Sequence, residues 1–227
     1  MWISYFFQIQ SKYSMRVSLK NPLVIRFDGK DVTKNKNLDL LNNYKGSFRN
    51  NLEKTAEFFT RRYQCLSILG SDEISFIFTN PISVVSDLDK ENCTGSNEII
   101  ALFSQYFFDY FNQCDNKIKT FWHGKCFSIN KDKINSYIKF RSGIIKNVMT
   151  TYFLSKNNVR MGNVKQEERV AECKKMEGYE ILEDTQDGIL YFDGDRIDIN
   201  EFYNGNIKKI KSITNEYKDL YVDLMDF

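Results

Sequence analysis

Two carboxylates stand where chemistry could be done. Asp28 closes the apolar run Leu23-Val24-Ile25-Arg26-Phe27, and Asp72 lies in Gly70-Ser71-Asp72-Glu73, between the apolar runs 65–69 and 74–78. If the first run forms a strand beside the other two, both carboxylates reach one edge of a sheet. Such a pair suits a hard cation such as Mg²⁺, which takes oxygen ligands and typically uses one or two carboxylates plus substrate phosphates. Two such ions can activate a hydroxyl and stabilise a leaving pyrophosphate. Gly29 fits this chemistry, because a residue without Cβ lets a backbone group approach a metal or phosphate. Glu73 follows Asp72 directly, and strand alternation would turn it to the opposite face. Taken singly, Asp28-Gly29 also reads as a plain turn and Asp72 as a polar turn residue.

Other chemistries are excluded by counting. The 227 residues contain one histidine, His123, so no site can use two, and a Ser-His-Asp or Cys-His arrangement would have to be built on it. The five cysteines (Cys65, Cys93, Cys114, Cys126, Cys173) are odd in number and lack a Cys-x-x-Cys pair. That pattern reads as reduced thiols rather than a disulfide framework. The apolar start Met1–Phe7 is too short for a signal peptide, and no stretch has the length of a membrane span. A cytoplasmic protein is expected.

The elements that must position the two acids follow from periodicity. Residues 23–27 read as a buried strand. Phe48, Leu52, Ala56, Phe59 and Tyr63 mark one face of an amphipathic helix. Strands at 65–69 and 74–78 form a hairpin, and a loop at 80–96 leads to an apolar, buried helix at about 97–111. A strand at 121–129 and a long helix at about 131–155 follow, the latter with Ile134, Ile138, Ile145, Val148 and Tyr152 inward. Beyond residue 157 we expect a polar helix near 165–177, a hairpin at 188–197 turning on Asp193-Gly194, and a final acidic helix. The order predicts an α+β fold: an antiparallel sheet with helices packed on one face, ferredoxin-like or polymerase palm. Residues 1–156 would be the palm and 157–227 a C-terminal extension of helix, β-hairpin and helix. No G-x-G-x-x-G is present, which disfavours a Rossmann fold.

A net charge of +2 hides an asymmetry: residues 117–175 carry +10, so the remainder carries −8. The basic third reads either as a polyanion-binding surface or as a solvated helix face. Tyr137, Phe140 and Tyr152 could stack on bases, although helical aromatics are more often core.

The motifs carry a resemblance. Arg26-Phe27-Asp28-Gly29-Lys30 resembles the Arg-x-Asp-Gly-Arg motif of the tRNA-His guanylyltransferase and guanylyltransferase-like family. Gly70-Ser71-Asp72-Glu73-Ile74-Ser75-Phe76-Ile77-Phe78 is similar to its Gln-Ser-Asp-Glu-Tyr-Ser-Phe-Val-Phe block. Trp122-His123-Gly124-Lys125 falls where the family has Phe-Asp-Gly/Ala-Arg, and Tyr137-Ile138-Lys139-Phe140-Arg141 resembles its Tyr-Leu-x-Trp-Arg helix. Order and spacing match from about Lys20 to Phe153.

The resemblance implies a polymerase-like palm that adds nucleotides to the 5′ end of tRNA or a tRNA-like RNA in 3′→5′ polarity, with two Mg²⁺ ions and GTP or ATP as substrates. Asp28, the Gly29 carbonyl and Asp72 would hold the metals. Asp28, Gly29, Lys30, Asp31, Val32 and Thr33, with Ser71 and Asp72, would cradle the nucleotide. Lys131, Lys133, Lys139, Arg141 and Lys146, continued by Lys156 and Arg160, would track an RNA backbone. A homo-oligomer, dimer or tetramer, is implied as well. The sequence also departs from the pattern. Val32-Thr33 replaces Phe-His, and the stretch from Lys90 to Asn97 offers only Lys90 and Ser96 where the family has a basic Ser-Lys cluster. Lys146 stands about where tRNA-His-specific members have His, so the guanylyltransferase-like branch fits better than strict tRNA-His specificity. Two other readings stay open: a palm-type nucleotide cyclase or oligonucleotide synthetase working without RNA, and a catalytically inactive RNA-binding module.

Overall fold

The computed structural model describes residues 17–35, 38–87, 95–114 and 120–203. The first strand, β1 (Leu23–Gly29), is followed by a 3₁₀ turn at Val32–Lys34. Helix α1 (Phe48–Tyr63) starts at Ser47, whose hydroxyl accepts the Asn50 N–H. Strands β2 (Leu66–Leu69) and β3 (Glu73–Phe78) form the expected hairpin. A short helix α2 (Pro81–Asp87) lies inside the stretch read as a loop. Its start signals are Pro at the first helical position and the Asn80 carboxamide, which accepts the Ile82 N–H. Helix α3 (Ser96–Cys114), strand β4 (Trp122–Ser128) and helix α4 (Ile134–Lys156) complete the first part of the chain. Then come α5 (Gln166–Cys173), α6 (Tyr179–Glu183), β5 (Ile189–Phe192), β6 (Asp195–Ile197) and α7 (Ile199–Tyr203). Asp193 and Gly194 both have positive φ in the β5–β6 turn, which matches the twist of a two-residue hairpin loop. The region expected to hold the final acidic helix falls largely outside the described residues, as do Lys90 and Cys93.

All strands among the described residues pair antiparallel in one sheet of order β4-β1-β3-β2-β5-β6. The fold class is the expected α+β palm-type sheet, and β4-β1-β3-β2 with α1 and α3 forms its βαββαβ core. The hairpin β5–β6 extends that sheet by pairing with β2.

One expectation is corrected. Helices cover both faces, not one. On the first face Leu23, Ile25, Phe27, Phe76 and Phe78 pack against Leu52, Ala56 and Phe59 of α1 and Ile99, Phe103 and Phe107 of α3. Rings dominate there; Phe27 stacks on Phe107 with centroids 4.3 Å apart. On the second face Val24, Leu66, Ile68, Ile77 and Leu190 pack against Ile138, Ile145 and Met149 of α4 and Leu182 of α6. The reason lies in the strands. β2, β3 and β5 are buried at every position, so a single helical layer would leave half of their apolar side chains in water. Helix α3, expected to be buried all round, instead buries the stripe Ile99, Phe103, Phe107 and Phe111 and leaves Tyr106 exposed. No helix among the described residues is long and apolar enough to cross a membrane.

Candidate active site

The second face is covered by α4 only in part. Toward the end of β1 it opens, and the alternation of β1 brings Arg26 and Asp28 onto this face two residues apart. Their cross-strand partners on β4 are Lys125 and His123, both exposed. On β3 the partners are Ser75 and Glu73. Glu73 therefore sits directly across from Asp28 on the same face, not on the opposite one. The expectation failed because Asp72 belongs to the turn, where strand alternation does not yet apply; β3 begins at Glu73.

Asp72 is brought to Asp28 by backbone pairing: the Gly29 N–H donates to the Asp72 carbonyl at 2.7 Å. The two carboxylates have different surroundings. Asp28 is ion-paired with the Arg26 guanidinium. Arg26 also stands 3.5 Å from Glu73, but its Nε makes no hydrogen bond, so Asp28 is its principal partner. Glu73 is gripped by Arg141, with Nε 3.0 Å from Oε1 and Nη2 on Oε2. Asp72 accepts a hydrogen bond from the Ser71 hydroxyl at 2.9 Å, and it has no ion pair among the described residues. Burial pushes its carboxyl up to about 6 against the lowering effect of Ser71, and the charges of Asp28 and Glu73 add to the rise.

The proposed cradle follows β1 closely. Lys30 donates its N–H to the Phe121 carbonyl at 2.7 Å. Asp31 is left-handed, with φ 58°, and pairs with Lys34 at the surface. Val32 is buried, and Thr33 continues the 3₁₀ turn. A Cβ on Gly29 would lie 2.6 Å from Val32 Cγ2 and 3.2 Å from the Asp72 carbonyl oxygen. The bare Cα thus lets the Val32 turn fold back against the Asp72 turn.

The cations proposed for RNA do not form one surface. Arg141 is 5% exposed and spent on Glu73, which removes it from any backbone-tracking row. Lys139 lies 5.2 Å over the Tyr203 ring, and Lys146 pairs with Asp187 at 3.0 Å, so both face the C-terminal part. Lys131 and Lys133 are exposed just ahead of α4. Lys156 reaches Asp39 at 3.5 Å. Among the aromatics, Tyr137 and Tyr152 are partly buried and bond to Ser75 and the Leu38 carbonyl. Phe140, read as more often core, is 60% exposed. Sequence reading left Arg26, His123 and Lys125 out of the site, although period-two alternation from Asp28 would have found Arg26.

Among the described residues no group of three or more His, Cys, Asp or Glu could hold a metal. The donors expected from the sequence, the Asp28 and Asp72 carboxylates and the Gly29 carbonyl, are all hard oxygens. That number suits Mg²⁺, whose coordination is typically completed by phosphates and water. The raised Asp72, beside other carboxylates and without a protein cation, is the feature that a divalent ion would satisfy.

The sequence matches no protein-family model and no curated protein. Its fold does have counterparts. A bacterial tRNA(His) guanylyltransferase (Thg1)-like protein in complex with ATP superposes with a TM-score of 0.60 at 14% identity, covering 85% of this chain and 84% of that one. The complex of such a protein with GTP gives 0.60 at 15%, covering 83% of each. The tRNA(His) guanylyltransferase of Saccharomyces cerevisiae gives 0.51 at 16%, covering 84% and 93%. At these identities the likeness is one of fold, and the chain has the palm fold of the guanylyltransferase structures.

Proposed function

We propose that this chain is a Mg²⁺-dependent nucleotidyltransferase of the guanylyltransferase-like type. It would add nucleotides from GTP or ATP to the 5′ end of a tRNA or tRNA-like RNA in 3′→5′ polarity. The observation that carries the reading is the convergence of Asp28 and Asp72, from β1 and the β2–β3 turn, at the open end of the sheet. The fold supports it, since its structural neighbours hold ATP and GTP.

Asp28, Asp72 and the Gly29 carbonyl would hold the metal, which when bound neutralises the triphosphate and favours the attacking hydroxyl. The chain's own residues do the rest by positioning and charge. The turn from Lys30 to Thr33, with Ser71, flanks the nucleotide. Arg26 and Lys125, cross-strand neighbours on the open face, offer positive charge to phosphate oxygens. His123 adds a polar group opposite Asp28 where the family pattern has an acid. Lys146, tied to Asp187, supports the reading that tRNA-His anticodon specificity is absent.

The test is incubation of the purified protein with labelled GTP or ATP and Mg²⁺, with and without tRNA. Label appearing at the RNA 5′ end supports the proposal. Cyclic or linear oligonucleotides formed without RNA would point instead to a palm-type synthetase, and RNA binding without any transfer to an inactive module. Asp28→Ala and Asp72→Ala should each abolish transfer, and full activity in either refutes the assignment.

A further inference from the structure

Beneath the Asp72 turn, on the face away from the open site, lies Arg49, a side chain for which the proposed chemistry has no use. It is 0% exposed, and three local rules speak against it. Its charge is buried, which costs several kcal/mol unless it is well paired. It stands in the first turn of α1, where the helix dipole disfavours a cation. Its partner Glu53 is four residues C-terminal, the weaker order for such a pair. A residue that breaks several rules at once marks a place where function outweighs stability.

Its contacts show what it does. Nε donates to Glu53 Oε1 at 2.7 Å, and Nη1 donates to the Gly70 carbonyl at 3.1 Å. The other Glu53 oxygen accepts the Tyr191 hydroxyl of β5 at 3.0 Å. Gly70 is the residue before Ser71-Asp72, and its N–H closes the turn on the Glu73 carbonyl at 2.9 Å. From the opposite face Ile145 of α4 presses on the same residue; a Cβ on Gly70 would lie 2.7 Å from Ile145 Cγ1. The turn is thus held between a guanidinium on one side and a branched side chain on the other. Its next link is the Asp72 carbonyl, which receives the Gly29 N–H.

We infer that Arg49 is a positioning residue for Asp72: with Glu53 and Tyr191 it fixes the Gly70 carbonyl and thereby the placement of the Asp72 carboxylate beside Asp28. The inference deepens the proposed function, since it assigns this buried network to the same site.

Two readouts test it on the full chain. Amide hydrogen exchange in Arg49→Met should quicken at least about tenfold at Gly29 and Gly70, while the centres of β1 and β3 keep their protection. Mn²⁺ affinity, read by electron paramagnetic resonance, should fall about 10–100-fold, as for loss of an outer-shell partner. Tyr191→Phe, which loosens Glu53 without removing a charge, should shift both readouts in the same direction by less, and it decides the matter if Arg49→Met does not fold. Leu52→Ala, buried on the same helix, is the control for general destabilisation and should lower the melting temperature without selective exchange at Gly29. Exchange at Gly29 and Gly70 that is unchanged in the folded variants, or quickened equally by Leu52→Ala, overturns the inference. The exchange comparison needs no metal, so it decides the role of Arg49 even if the wild type binds no Mn²⁺, a result that overturns the functional reading instead.

Discussion

Replacing Asp72 by asparagine separates the cost of the site from its use. In the fold this carboxyl is pushed up to about 6, against 3.8 ordinarily. Burial is the main cause, with Asp28 and Glu73 adding to it. As pH rises between those two values, the unfolded chain loses the Asp72 proton first. The native state then binds more protons than the unfolded one, so stability falls with rising pH through this window and stays lower above it. A gap of about two units at about 1.36 kcal/mol each amounts to roughly 3 kcal/mol given up at pH 8, and roughly half of that at pH 5. The substituted carboxamide cannot ionise and keeps an oxygen for the Ser71 hydroxyl. Asp72→Asn should therefore be more stable than the parent at pH 8 by up to about 3 kcal/mol, or about 6–12 °C in melting temperature for a chain of this size. The gain should be roughly halved at pH 5. Thermal unfolding by circular dichroism, with chelator present, measures both. Adding Mg²⁺ at about 100-fold its dissociation constant should then raise the parent by about 2.7 kcal/mol and leave the variant nearly unmoved. A variant that melts below the parent at pH 8, or that gains equally at the two pH values, refutes the electrostatic account of the site.

Two further outcomes are expected. Glu73→Gln breaks the buried pair with Arg141 and withdraws a counter-charge from Arg26; it should cost about 3–5 kcal/mol, and a melting temperature unchanged by differential scanning calorimetry would show that the pair does not carry the packing of α4. If RNA is bound, Lys131→Glu with Lys133→Glu should weaken binding and reduce the salt slope by about 0.7–0.9 for each phosphate left without its lysine, whereas Lys146→Ala, whose ammonium is tied to Asp187, should leave the slope alone; an equal effect of both in filter-binding titrations would restore the single basic surface.

Much of the framework was legible because local and global signals agree. The β1 run, the five-residue apolar stripe of α1 and the short Gly70–Glu73 link all specify one topology, and that topology puts Asp28 and Asp72 at one end of the sheet. What escaped had physical reasons. Helix α4 lies on the second face because β2 and β3 are buried at every position, and a nearly continuous apolar run does not reveal how many layers cover it. Glu73 was misplaced because alternation was counted from Asp72, a turn residue, whereas β3 begins at Glu73 and its register puts that side chain across from Asp28. The cations failed as a group because charge counts carry no direction: Arg141 turns inward to Glu73, and Lys139 and Lys146 turn toward Tyr203 and Asp187. Arg49 carried a readable warning, a cation in the first turn of an amphipathic helix, but its partner at Gly70 is 21 residues away.

The charges around the two acids are balanced unequally, and that inequality tells where an external cation is needed. Four charged groups form a row on the second face of the sheet, from half-exposed Asp28 with Arg26 to the buried pair of Glu73 with Arg141, linked by the longer approach of Arg26 to Glu73. Within this row each carboxylate has an internal counter-charge. Asp72 stands beside it with a hydroxyl for a partner, and the negative charges of the row help raise its carboxyl. Filling that gap with a lysine would stabilise the fold and close the site. Leaving it open makes the end of the sheet attractive to a divalent ion and, through that ion, to phosphate. The buried clamp of Arg49 on Gly70 then has a physical purpose, since a turn that carries an uncompensated charge relaxes toward water unless something behind it holds it in place.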